Sequence, residues 1–273
     1  MSFVTRFAPS PTGLLHLGHA FSALTAFQAA QAAGGRFLLR IEDTDITRCR
    51  PMFEAAIHED LAWLGVVWET PVWRQSERMD VYAAALDELK ARGLVYRCFR
   101  TRRSLMEEMA APHGPTTHVV RGGPLPVDEE ESLLASGAPF AWRLWLDAAL
   151  DALGGKALTF EADGAVTVAE PERLGDIVLA RKEFPASYHL ASVIDDAAQG
   201  ITHVIRGEDL IEAAHIHVLL QALLGLPTPI YRHHRLILGA DGKRLAKRDH
   251  AATLASLRAD GVAPDAVRAR LGL

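Results

Sequence analysis

The chain has 273 residues, of which 49% are hydrophobic and 23% charged, the balance of a globular protein able to bury a sizeable core. No apolar run reaches about 18 residues, and the N-terminal MSFVTRFAPSPTG has no basic stretch leading into an apolar one, so neither a membrane span nor a secretion signal is expected. The formal net charge of −5 argues against non-specific nucleic-acid binding, and two cysteines, Cys49 and Cys98, are too few for a disulfide framework and point to a cytoplasmic protein.

In chain order, Phe3 to Phe7 is β-prone and reads as a first strand, running into the turn-rich Ala8-Pro9-Ser10-Pro11-Thr12-Gly13. Ala20 to Ala33 is Ala-rich and helix-prone, ended by Gly34-Gly35. Arg36 to Ile41 reads as a second strand, Pro51 to Leu64 as a helix with proline in its first turn, and Arg78 to Arg92 as another helix. Strands alternating with helices over short joints predict a parallel α/β sheet. From Tyr96 to Glu170 the alternation breaks down: Pro112 to Pro126 reads as a long loop, and Phe140 to Leu146 and Ala157 to Val168 as strands, with Asp163-Gly164 a hairpin turn. The alternation resumes with strands at Asp176 to Ala180, Ile201 to Ile205 and Ile230 to Leu238, and helices at Tyr188 to Ala197 and Ile211 to Leu224. A Gly-containing basic loop and two short helical stretches follow. The expected organisation is a Rossmann-like α/β domain in two halves, 1–95 and 172–238, interrupted by an inserted subdomain at 96–171 and followed by a basic loop with short helices at 239–273.

Two constellations carry chemistry. His16-Leu17-Gly18-His19 lies where the first strand hands over to the first helix, the junction at which α/β sheets bind ligands because amide donors and the helix dipole converge there. Gly18 allows a ring or phosphate close to the backbone, and the two histidines can donate to phosphate oxygens. Asp241-Gly242-Lys243-Arg244-Leu245-Ala246-Lys247-Arg248 is a cationic loop after the last strand, suited to charge developing on phosphates in a transition state. Arg100, Arg102 and Arg103 form a second basic cluster.

Together the two constellations resemble the signatures of class I aminoacyl-tRNA synthetases. RFAPSPTG from Arg6, IEDTD from Ile41, YHLASVIDD from Tyr188 and HVIRGEDL from His203 extend the likeness to the glutamyl-tRNA synthetase family. Ala8-Pro9-Ser10-Pro11-Thr12 stands where glutaminyl members carry Pro-Pro-Glu-Pro-Asn, so the likeness is to the glutamate type. The resemblance implies that glutamate and ATP form an acyl-adenylate and pyrophosphate. By matched position, Arg6 and Arg206 would hold the side-chain carboxylate of glutamate, Glu42 its ammonium group, and Ala8, Ser10 and Tyr188 the rest of the pocket. His16 and His19 would contact ATP phosphates, Gly18 the adenine, and Lys247 with Arg244 the phosphates during adenylate formation, Mg²⁺ accompanying the nucleotide. Arg244 keeps the charge of the family's lysine in its K-M-S-K-S loop, while Ala246 lacks the hydroxyl of its serine.

Full-length members of the family continue past the basic loop into a helical anticodon-reading domain, and none is expected here. Length and motifs resemble the shorter glutamyl-queuosine tRNA(Asp) synthetase branch, which activates glutamate without tRNA and transfers it to queuosine in the anticodon stem-loop of tRNA(Asp). Many of its members hold a structural zinc through Cys-x-Cys and a later cysteine. Here Cys98-Phe99-Arg100 retains one thiolate, and His215-x-His217 and His233-His234 have no thiol or acidic cluster beside them, so no metal site is expected. A monomer is expected. Three alternatives remain open: a truncated glutamyl-tRNA synthetase charging a tRNA 3′ end, a nucleotidyltransferase, a class that shares H-x-G-H, and a non-catalytic RNA-binding or regulatory paralogue.

Overall fold

The structure is a computed structural model that describes residues 2–100, 120–181, 186–238 and 252–273. Strand β1 (Val4–Phe7) is buried along its whole length and lies parallel to β2 (Arg36–Ile41), which lies parallel to β3 (Glu69–Arg74). Strands covered on both faces need no polar side, so VTRF and FLLRI are buried without alternation. Helix α1 (Leu17–Ala32) packs Ala20, Phe21, Ala23, Leu24 and Phe27 onto these strands, and Gly34 closes its end at φ +59°, a conformation that costs glycine little. Helix α2 (Pro51–Trp63) opens with proline in its first turn and Glu54 beside the positive helix end. Helix α3 (Met79–Ala91) follows a short 3₁₀ turn at Gln75–Arg78.

The next elements build a separate antiparallel sheet. Strand β4 (Val95–Cys98) pairs with β5 (Ala141–Leu144), and β5 pairs with β8 (Val178–Arg181). Helices α4 (Val127–Ala135) and α5 (Leu146–Ala152) lie in sequence on either side of β5. Strands β6 (Thr159–Ala162) and β7 (Ala165–Val168) form a hairpin over Asp163 and Gly164, both at positive φ, as a type I′ turn requires.

The remaining elements complete the core. Helix α6 (Tyr188–Ala198) precedes β9 (His203–Gly207), and α7 (Ile211–Leu223) precedes β10 (Ile230–His234), which runs parallel to β9. Strand β6 joins this sheet beside β10, giving the order β7-β6-β10-β9. The edge of β9 abuts β1: Thr202 N donates to Val4 O at 3.0 Å, and Val4 N donates to Thr202 Oγ1 at 2.8 Å. A parallel sheet and a mixed one, parallel at β6, β10 and β9, thus meet at β1 and β9, bringing the ends of both strands to one place, the topological switch point at which such sheets bind ligands. Helices α8 (Leu254–Ala259) and α9 (Pro264–Leu271) return to pack on the α1 side.

Several elements differ from the sequence expectation. Strand β3 contains Thr70-Pro71 and an exposed half, which hid it from a pattern search. The segment 176–180 was expected to resume the parallel alternation, but β8 pairs antiparallel with β5. The strand expected over Phe140–Leu146 stops at Leu144, because Leu146 opens α5. The last strand ends at His234 rather than Leu238. Most of the expected loop at Pro112–Pro126, together with Arg102 and Arg103, lies outside the described residues.

Candidate active site

A cavity of about 420 Å³ opens at the meeting of β1 and β9. Its wall includes Arg6, Ala8, Ser10, His16, Gly18, His19, Glu42, Tyr188 and Arg206, so every described residue of the expected site faces one space. Lys243, Arg244, Ala246 and Lys247 lie outside the described residues.

The H-x-G-H segment is itself the start of α1. His16 is the N-cap: its Nδ1 accepts from Gly18 N at 3.1 Å, and His19 Nδ1 accepts from His16 N at 3.2 Å. This is a capping box made of imidazoles in place of the usual hydroxyl and carboxylate. Because both Nδ1 atoms accept, each ring carries a proton on Nε2, the tautomer that can donate to an anion. The rings lie 3.8 Å apart beside the positive end of the helix. A Cβ on Gly18 would sit 3.0 Å from the His16 ring, so glycine is needed for the cap as well as for ligand approach.

Behind the cavity is a buried charge network. Arg6 Nε and Nη2 donate to Asp196 Oδ1 and Oδ2 at 3.0 and 3.2 Å. Arg40, fully buried on β2, donates from Nη1 to Asp196 at 2.7 Å and from Nη2 to Glu42 Oε1 at 3.2 Å. Burial alone would raise the Asp196 carboxyl, but Arg6 and Arg40 outweigh it and hold it at about 2. For Glu42 burial wins, and the carboxyl is raised despite Arg40 and Arg6. Glu42 Oε1 also accepts from Ser192 Oγ at 3.4 Å. Beside this group, Asp195 accepts from Gln75 at 3.2 Å, Arg78 at 2.8 Å and Tyr82 at 2.7 Å.

Arg206 is in a different state from Arg6. Its Nη1 donates to Tyr188 OH at 3.2 Å and its Nη2 to the carbonyl of Leu210 at 3.0 Å. Nε is buried with no hydrogen-bond partner, and among the described residues no carboxylate lies within ion-pair distance. The Nε and Nη2 hydrogens share the edge that pairs side-on with a carboxylate. On Arg6 that edge is taken by Asp196; on Arg206 the Leu210 carbonyl takes one of the two Nη2 hydrogens, and Nε with the other has no carboxylate partner among the described residues.

A second cavity, of about 470 Å³, shares Ser10, Glu42 and Tyr188 with the first and extends past Thr44, Asp45, Arg48, Arg181 and Ser187. The histidine pairs considered for metal serve separate neighbours. His215 accepts from Glu170 N at 2.9 Å, and His233 meets Asp163 at 3.3 Å. Among the described residues no group of three or more His, Cys, Asp or Glu is arranged to hold a metal, and Cys98 is a buried free thiol. No helix among them is long and apolar enough to cross a membrane.

Sequence reading missed Arg40, Asp196, Ser192 and His217 as neighbours of the site. Arg40 carried a usable signal, a charge in the middle of an apolar strand that must find a buried partner. Asp196 lies within the YHLASVIDD motif, but its partners are 156 and 190 residues away in sequence.

Residues 2–273 match the family described as class I tRNA synthetases (E and Q), catalytic domain. A glutamyl-Q tRNA(Asp) synthetase of Rhodobacter capsulatus is 49% identical over 99% of this chain and 100% of its own length. One from Symbiobacterium thermophilum is 40% identical over 96% of this chain and 83% of its own. Among solved structures, a glutamate tRNA ligase of Elizabethkingia meningosepticum in complex with its amino acid superposes with a TM-score of 0.73 at 33% identity, covering 91% of this chain and 52% of that one. This chain therefore spans about half the length of that ligase. By fold, by the residues gathered at the switch point and by these relatives, the chain belongs to the class I glutamyl- and glutaminyl-tRNA synthetase family, in the branch of the glutamyl-Q tRNA(Asp) synthetases.

Proposed function

We propose that this protein activates L-glutamate with ATP in the absence of tRNA and transfers it to queuosine at the anticodon wobble position of tRNA(Asp). The observation that carries the amino-acid half is Arg206 in the cavity wall, its Nε without a hydrogen-bond partner and no acid of the described residues within ion-pair distance. The RNA half is supported by likeness to the Rhodobacter capsulatus protein over that protein's full length.

Arg206 takes the side-chain carboxylate of glutamate, with Arg6 adding positive potential from its place on Asp196. Glu42 takes the ammonium group, and Ser10, Ala8 and Tyr188 shape the space between. The α-carboxylate then attacks the α-phosphorus of ATP. A new C–O–P bond forms, the bond to the bridging oxygen breaks, and pyrophosphate leaves. No nucleophilic side chain is required, because positioning and charge stabilisation supply the rate. His16 and His19 donate from Nε2 to phosphate oxygens at the positive end of α1, and Lys247 and Arg244 serve the same charge from the basic loop. Mg²⁺ accompanying ATP would screen the charge of its phosphates, and Asp209 in the cavity wall is a hard-oxygen residue of the kind that would hold it. The acceptor nucleoside enters from the second cavity, whose wall includes Arg48 and Arg181. An acceptor hydroxyl attacks the acyl carbon, its proton is lost, and AMP departs.

The test is glutamate-dependent exchange of labelled pyrophosphate into ATP without RNA, followed by transfer of labelled glutamate to tRNA pools with and without queuosine. Exchange without RNA, and label only on queuosine-containing tRNA(Asp), is the expected result. Label on the 3′ end of tRNA(Glu) overturns the acceptor, and absence of exchange overturns the activation step.

A further inference from the structure

Two imidazoles stand behind Arg206, outside the cavity wall. His217, on α7 and 2% exposed, has Nδ1 3.4 Å from Arg206 Nη1. Its Nε2 lies 3.2 Å from Nδ1 of His189 on α6. A guanidinium only donates, so His217 must accept at Nδ1. The neutral ring then carries its proton on Nε2 and donates it to His189 Nδ1, which leaves the His189 proton on its own Nε2. One tautomer of each ring satisfies the whole chain.

Burial, reinforced by Arg206, lowers His189 to about 4, and burial with Arg206, His189, Arg6 and Arg40 puts His217 well below the ordinary imidazole range. Both rings are therefore neutral at physiological pH. Neutrality matters to the geometry, since a protonated His217 would have no lone pair for Arg206 and would add a like charge beside it.

Nη1 of Arg206 has two hydrogens, directed to Tyr188 OH and His217 Nδ1. With Nη1 anchored on that side and Leu210 O taking one Nη2 hydrogen, Nε and the second Nη2 hydrogen are the donors left to a ligand. We propose that His217, backed by His189, is a positioning residue for side-chain recognition: it orients Arg206 so that these remaining donors meet the substrate carboxylate. The proposal rests on the reading of Arg206 as the glutamate side-chain site. It uses a residue that sequence patterning had considered only as half of a metal-binding pair, and an acceptor that serves an arginine rather than an ion.

The experiment is pyrophosphate exchange with His217→Leu, His217→Gln and His189→Leu. Leucine at 217 fills the space but cannot accept. Glutamine can accept from Arg206 and donate to His189. His217→Leu is expected to raise the KM for glutamate by about 10- to 100-fold, as for loss of a hydrogen bond to a charged group, with the KM for ATP within about 2-fold of the parent. His217→Gln should return the glutamate KM to within about 5-fold of the parent, as the hydrogen bond is regained. An unchanged glutamate KM in His217→Leu overturns the proposal, as does a His217→Gln variant as impaired as His217→Leu, which would signify packing alone. Should His217→Leu fail to fold, His189→Leu decides: a rise of about 3- to 10-fold in glutamate KM supports the relay, and no rise overturns it. Loss of glutamate-dependent exchange in the parent protein instead removes the functional reading itself, and the relay with it.

Discussion

Arg6 and Arg206 line one cavity, yet one is clamped to Asp196 and the other has an unpartnered Nε and no carboxylate of the described residues beside it. The difference between them is a difference of partners, and the same is true of the two glutamate-facing charges. Glu42 must be ionised to hold an ammonium group, and burial raises its carboxyl above the ordinary range. Since the proton is retained to higher pH than in a free carboxylate, affinity for glutamate should fall on acidification before ordinary surface carboxylates titrate. Calorimetric titration of glutamate across a pH series checks this, and Glu42→Gln should bind weakly at every pH. Gly18 is limited by its neighbour: a methyl group there meets the His16 ring at 3.0 Å. Gly18→Ala should therefore push the His16 ring by a few tenths of an ångström and lower kcat for pyrophosphate exchange, by less than the about 100-fold that a full misplacement of about 1 Å costs, while the KM for glutamate changes little.

At the scale of elements, α2 and α8 meet around a charge that is poorly provided for. Asp60, fully buried on α2, has no hydrogen bond to either carboxylate oxygen, and Arg258 of α8 stands 3.5 Å away. Burial raises its carboxyl to about 6, with Arg258 offsetting only part. The native state thus holds this proton more tightly than the unfolded chain, so its contribution to stability falls as pH rises from about 4 to about 6 and stays low above that. Asp60→Asn should raise stability at pH 8 by on the order of 1–3 kcal/mol and change it little at pH 4, as read from urea melts at the two pH values. A loss of stability at both would show that the carboxylate is better solvated than its contacts indicate.

Across the whole molecule, Asp196 on α6 ties together β1 and β2 through Arg6 and Arg40, and its neighbour Asp195 gathers Gln75, Arg78 and Tyr82. These charges connect the two halves of the core directly beneath the cavity. Asp196 is held at about 2, below its unfolded value of about 4, so its stabilisation is present above about pH 4 and is lost as pH falls toward 2. Asp196→Ala leaves two buried guanidinium groups with less counter-charge and should destabilise by about 3–5 kcal/mol. Thermal and urea unfolding measure the loss, and glutamate binding should weaken with it because Arg6 is released.

The sequence by itself determined much of the α/β alternation, the helix start at Pro51, the Asp163-Gly164 hairpin and, among the described residues, the set that shares the cavity. These are local quantities: strand and helix periods, turn conformations and short motifs at a strand–helix junction, each set by neighbouring residues. Tertiary structure alone decided that β8 pairs antiparallel with β5 and that Asp196 occupies the fork of Arg6 while Arg206 meets no carboxylate of the described residues. It also decided that His217 faces an arginine rather than a metal-ligand partner. Short strands carry too little pattern to specify their partners, and a buried charge is matched to its counter-charge only when distant segments close on one another.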